Sequence, residues 1–132
     1  MVDRNMSLKE FRATRHAEIN IYLMLMKVEE KFRQGRNTPE GEELGRQHYL
    51  YLWELEEAGK LLGCGPRDRG EPSHEGMGIL LVDSREEAEE IARNEPFGKA
   101  GWRTNRVATW QLNEGPAVAL AREIIATKKK GA

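Results

Sequence analysis

Apolar and polar positions alternate with period two from Glu18 to Val28, where Ile19, Ile21, Leu23 and Leu25 fall on one face and Asn20, Tyr22, Met24 and Met26 on the other. Both faces are largely apolar, which predicts a central strand covered on both sides. The charged stretch Glu29 to Asn37 reads as a loop. Thr38-Pro39 then supplies an N-cap and a proline at the first helical position, opening a helix that runs to Ala58. Leu44, His48, Leu52 and Leu55 recur at helical spacing and share one face of it. Gly59 reads as a helix stop in left-handed geometry, and Lys60 to Cys64 as a second strand. That strand returns the Cys64-Gly65-Pro66 turn toward the helix just completed.

A loop from Pro66 to Glu75 leads to a third strand, Gly76 to Asp83, centred on Ile79-Leu80-Leu81-Val82. Ser84-Arg85-Glu86-Glu87 is a capping box. The helix it starts turns Ala88, Ile91 and Ala92 inward and ends near Asn94, because Pro96 holds Glu95 in extended geometry. The turn Gly98-Lys99-Ala100-Gly101 precedes a fourth strand, Trp102 to Leu112. At the ends, Ser7 and Glu10 cap a short helix from Leu8 toward His16, and Gly115-Pro116 opens a last helix from Ala117 toward Thr127. The lysines Lys128 to Lys130 suit a helix C-terminus and read as a solvated tail.

The element order is strand, helix, strand, strand, helix, strand, with an extra helix at each end. That is the split pattern of a ferredoxin-like α+β unit, with a four-stranded antiparallel sheet and two helices on one face. Three regions follow: residues 1–17 as an N-terminal extension, 18–113 as the ferredoxin-like domain, and 114–132 as a C-terminal helix with a basic tail. The second sheet face needs cover, and a second copy packing its own sheet there predicts a homodimer.

Composition narrows the classes. The chain has 132 residues and a formal net charge of −1, which argues against a nucleic-acid partner. Its most apolar run, Ile19 to Met26, is too short to cross a membrane. Met1 to Asn5 lack the apolar core of a signal peptide. Cys64 is the single cysteine, so no internal disulfide forms, and cytoplasmic residence is the expectation.

The candidate chemistry centres on His48. An imidazole on the buried face of a helix must find a partner, either a backbone carbonyl or a group that makes it usable as a general acid–base. Trp53, Trp102, Trp110, Tyr49 and Phe97 fit either an apolar ligand pocket or ordinary packing, with Phe97 and Trp102 flanking the 98–101 turn. Cys64 reads as a small buried strand residue rather than a nucleophile. His16, His48 and His74 lack metal-ligand spacing, Gly63-Cys64-Gly65-Pro66 lacks the length and lysine of a phosphate loop, and there is no Ser-His-Asp signature.

Taken in order, His48 on an apolar helix ending at Gly59, Leu61-Leu62, Gly65-Pro66, Gly76 and Gly78, Ser84 to Ala88, Glu95-Pro96-Phe97, Ala100-Gly101 and Val107 to Trp110 carry a resemblance. From Ile19 to Leu112 the chain resembles the YCII-related (YciI-like) family of the dimeric α/β-barrel superfamily. Two positions depart from that pattern: Glu95 stands where the family usually has Asp, and Gly45 where it often has Arg, with Arg46 one step along. The resemblance implies a dimeric α/β barrel and a small-molecule site beside the sheet. His48 would be its general acid–base group, with Glu95 as carboxylate partner and Asp68 as the alternative. Arg46, Cys64, Gly65, Pro66, Phe97 and Trp102 would contact substrate. The implied activity is that of a cofactor-free isomerase, lyase or dehalogenase-like enzyme; the other reading is a ligand-binding or regulatory module without catalysis.

Overall fold

The structure, a computed structural model, describes residues 1–131. Contacts divide the chain into a central unit, Ile21–Trp110, and a terminal unit formed by residues 1–20 and 111 onward.

The central unit is built on strands β1 (Ile19–Val28), β2 (Leu61–Arg67), β3 (Glu75–Leu80) and β4 (Arg103–Leu112), of which β1 and β4 begin or end in the terminal unit. The sheet order is β2-β3-β1-β4, the ferredoxin-like order. β3 runs antiparallel to β1, with Met24 opposite Gly78 and Leu25 opposite Met77, and antiparallel to β2, with Cys64 opposite Gly78. β1 is central, as its two apolar faces predict. Helices α3 (Pro39–Glu57) and α4 (Arg85–Asn94) supply the core with Leu55, Ala88, Ile91 and Ala92, packed on Met24, Met26 and Leu80 from the sheet. Burying the leucine, isoleucine and methionine side chains contributes about 1.5–3 kcal/mol each. The even-numbered face of β1 is therefore the helix-covered one. The opposite face carries Ile21 and Leu25, which are buried, and Leu23, Met77 and Ile79, which are half-buried.

Caps set the helix boundaries. Thr38 Oγ1 accepts from the Gly41 amide and Ser84 Oγ from the Glu87 amide, each at 3.1 Å. Gly59 stops α3 at φ 71°, the left-handed geometry read from the sequence.

Four local expectations are corrected. The stretch read as a charged loop contains helix α2 (Glu30–Gly35). It is a short helix whose N-cap, Glu29, makes no side-chain capping bond, so the sequence carries no start signal there. The 98–101 turn begins inside helix α5 (Pro96–Lys99). β2 continues through Gly65-Pro66 to Arg67, and it is an edge strand, the place in a sheet where a proline is tolerated. The lysines read as a tail lie inside helix α6 (Pro116–Gly131).

The terminal unit holds α6 and α1 (Leu8–Thr14), the latter capped by Ser7 and without a buried residue. In it, the Ala17 amide donates to the Asn113 carbonyl at 2.8 Å, and His16 lies 3.6 Å from Glu18 and 3.5 Å from Glu114. Among the described residues, no helix is long and apolar enough to cross a membrane.

Candidate functional site

His48 sits in the middle of α3 on its buried face, with only 7% of its surface exposed. Glu95 lies between α4 and α5 in extended geometry, φ −63° and ψ 130°, the conformation that a following proline imposes. Extended backbone ends α4 and turns the Glu95 side chain inward, where it is completely buried. Its Oε2 lies 2.9 Å from His48 Nδ1.

Three further donors complete the shell of that carboxylate. The Phe97 amide donates to Oε2 at 2.8 Å, the Gly98 amide to Oε1 at 3.0 Å, and Asn105 Nδ2 to Oε1 at 2.9 Å. Glu95 is thus the N-cap of α5 as well as the partner of His48. Gly98 has to lack a side chain, because a Cβ there would run into the Asn105 amide that reaches Glu95. Burial pushes the Glu95 pKa up; the hydrogen bonds from His48, Asn105 and the Phe97 amide outweigh it and hold the carboxyl below its ordinary value. An ionised carboxylate only accepts, so a His48 proton is assigned to Nδ1, which in the neutral imidazole leaves the lone pair on Nε2.

His48 lines an open cleft of about 440 Å³ bounded by α2, α3, α5 and the start of β4. The walls are aromatic. Phe97 lies 5.4 Å from the His48 ring and 5.1 Å, edge-on, from Phe32, while Tyr49 lies 5.5 Å from His48. Arg103 extends over both phenylalanines, its Cζ 4.7 Å from the Phe32 centroid and 4.5 Å from that of Phe97. Such a cleft accommodates one substituted ring, with a titratable nitrogen at its floor and a guanidinium on its wall.

Of the residues singled out from sequence, the structure brings His48, Glu95, Phe97 and Arg46 together. Arg46 is at the cleft's exposed edge, where its guanidinium pairs with Glu43 at 3.2 Å. Trp102 is buried behind Phe97, at 6.1 Å, and does not line the cleft. Asp68 is not the histidine's carboxylate: it lies in the exposed β2–β3 connection, bonded to Arg67 at 2.8 Å and Ser73 at 3.1 Å. Cys64, Gly65 and Pro66 are exposed on the edge strand and line no part of the cleft. The expectation of a buried Cys64 is therefore also corrected, although desolvation around its thiol still raises the pKa, with Arg103 opposing. The thiol form is thereby favoured over the thiolate.

Phe32, Arg103 and Asn105 are the site residues that sequence reasoning missed. The signal for two of them was present: Arg103, Asn105 and Val107 alternate onto one face of β4, and Val107 packs on the core.

Comparison with known proteins places these features in context. No curated protein matches the chain. Among solved structures it is similar to the 5-chloro-2-hydroxyhydroquinone dehydrochlorinase of Burkholderia phenoliruptrix AC1100, solved in complex with 2,5-dihydroxybenzoquinone. The identity is 24% and the TM-score 0.53, over 68% of this chain and 92% of that one. At that identity the likeness is one of fold. The model of the YCII-related domain matches residues 21–111, the greater part of the sequence and nearly the whole central unit. The chain belongs to the YCII-related family.

Proposed function

We propose that this protein is a cofactor-free enzyme acting on a small cyclic compound, with His48 Nε2 as the proton-transferring group. The observation that carries this reading is the buried 2.9 Å contact between His48 Nδ1 and Glu95 at the floor of an aromatic cleft. With Nδ1–H held by the carboxylate, Nε2 takes a proton from a C–H or O–H acid of the substrate. Glu95 then stabilises the imidazolium as it forms. Two redox-neutral outcomes follow. The proton returns at another substrate atom, giving an isomer. Alternatively the electron pair left behind expels a leaving group, so that a halide and the abstracted proton depart together as the acid. The second outcome is the reaction class named for the Burkholderia enzyme of the same fold.

The acting form in this reading is a cytoplasmic homodimer, joined through the sheet face that carries Leu23, Met77 and Ile79. These residues are only partly buried within the chain, and a second sheet would complete their cover.

The test is halide release from 5-chloro-2-hydroxyhydroquinone and related halogenated hydroxyaromatics, with wild type and His48→Asn compared at equal folded concentration. Turnover by wild type and its loss in His48→Asn is expected. Turnover retained by His48→Asn overturns the assignment. Binding of the ring compounds without turnover of any of them makes the cleft a non-catalytic ligand site. Sedimentation showing a stable monomer at micromolar concentration would remove the dimer from the proposal.

A further inference from the structure

Arg103 differs from the other arginines of the central unit in its buried Nε. Arg33, Arg46, Arg67, Arg85 and Arg106 each meet a carboxylate. Arg36, Arg69, Arg93 and Arg103 meet none among the described residues, and of these four Arg103 has a buried Nε without a hydrogen-bond partner. The residue is half-buried, and burial lowers its pKa from the usual guanidinium value, with the charge of Glu95 opposing. Glu95 makes no direct ion pair with it, and four donors already occupy that carboxylate. A half-buried guanidinium with no carboxylate in contact is open to an anion that arrives from outside.

The surroundings define that anion. The guanidinium is held over the Phe32 and Phe97 rings, which fixes its plane by cation–π contact. It lines the same cleft as His48. The other charged groups on the cleft, Arg36, Glu42 and Arg46, are exposed at its edge.

The geometry points to Arg103 as the substrate-anchoring residue: it binds an anionic oxygen on a planar ring and so presents that ring to His48. This rests on the catalytic reading of the cleft and narrows its substrate class to oxyanion-bearing rings. The oxygen is a phenolate or a ring-attached carboxylate; both offer a planar acceptor to the guanidinium fork.

The experiment measures binding of 4-nitrophenolate, 4-nitrobenzoate and the neutral 4-nitroanisole to the full chain by NMR and absorbance, at mildly alkaline pH. Wild type should bind at least one anion about tenfold more tightly than 4-nitroanisole, the order expected for one charge-assisted contact. The preferred anion separates phenolate from carboxylate. Arg103→Gln should lose that preference while keeping its affinity for 4-nitroanisole, which a merely structural defect would also reduce. Arg103→Lys retains charge without the planar fork and should recover part of the preference; it also serves if Arg103→Gln fails to fold. Equal affinity of wild type for neutral and anionic rings, binding of none of them, or an undiminished anion preference in folded Arg103→Gln overturns the proposal. Preserved, Arg103-dependent anion binding with no turnover of any substrate leaves the anchor standing and removes the catalytic reading.

Discussion

Replacing Glu95 by Gln changes one oxygen of a buried carboxylate into an amide nitrogen and leaves the shape almost untouched. Four donors converge on the two native oxygens. If the new NH₂ occupies the Oε1 place, it confronts the Gly98 amide and Asn105 Nδ2, and two donors lose their acceptor. If it occupies the Oε2 place, it confronts His48 and the Phe97 amide. His48 can then shift its proton to Nε2 and accept at Nδ1, so that only the Phe97 amide is orphaned. The second arrangement is the cheaper. One orphaned buried amide, together with loss of charge assistance at the remaining bonds, costs about 2–4 kcal/mol, or roughly 8–15 °C in Tm for a chain of this size. Because the native carboxyl sits below its ordinary value of 4.5, its contribution is fully present above that pH and is lost as pH falls through the lower, folded value. Urea unfolding of both proteins from neutral to acid pH should therefore show a gap that closes on acidification. ¹⁵N spectra of His48 should show the proton on Nε2 in the variant and on Nδ1 in wild type, and the variant should lose its base. A gap below about 0.5 kcal/mol at neutral pH, a gap independent of pH, or an unchanged tautomer would refute this account of the dyad.

Tyr51 donates its hydroxyl to the Ile91 carbonyl at 2.8 Å, and burial, with Glu95 next, pushes its pKa up to about 12. Its phenol absorbance should change only near that pH, and Tyr51→Phe should delete the late step. The same sign means that its contribution to stability holds below the ordinary tyrosine value of 10 and fades as pH rises toward 12. Removing Met1 to Thr14 deletes a helix with no buried residue, so the shortened chain should stay folded, its far-UV helical signal reduced only by that helix, and lose less than about 1 kcal/mol of unfolding free energy. Failure of that chain to fold would give the N-terminal extension a structural role.

The sequence was most legible where period and punctuation agree. The alternation of β1 separates Met24 and Met26, which meet the helices, from Leu23 and Leu25 on the opposite face. Pro96 imposes the extended Glu95 that carries the carboxylate to His48. Legibility failed where elements are short or polar on both faces. Helix α2 has no capping side chain, so nothing in Glu29 to Asn37 distinguishes it from a charged loop. Arg103-Thr104-Asn105-Arg106 shows no apolar face by itself, and only Val107 farther along the strand tells which side turns inward. Asp68 stands two residues after Pro66 in the sequence. The strand runs on to Arg67 and carries that aspartate to a turn, where Arg67 and Ser73 claim it.

Glu95 is both the cap of a four-residue helix and the partner of the histidine. An isolated helix that short has no persistence of its own, so the Phe97 and Gly98 amides stay shielded from water only while the carboxylate holds them. Their exchange rates with solvent deuterium are thus a built-in gauge of the dyad. They can be followed residue by residue while a ring compound is titrated into the cleft, and they report on His48 before any product has been identified.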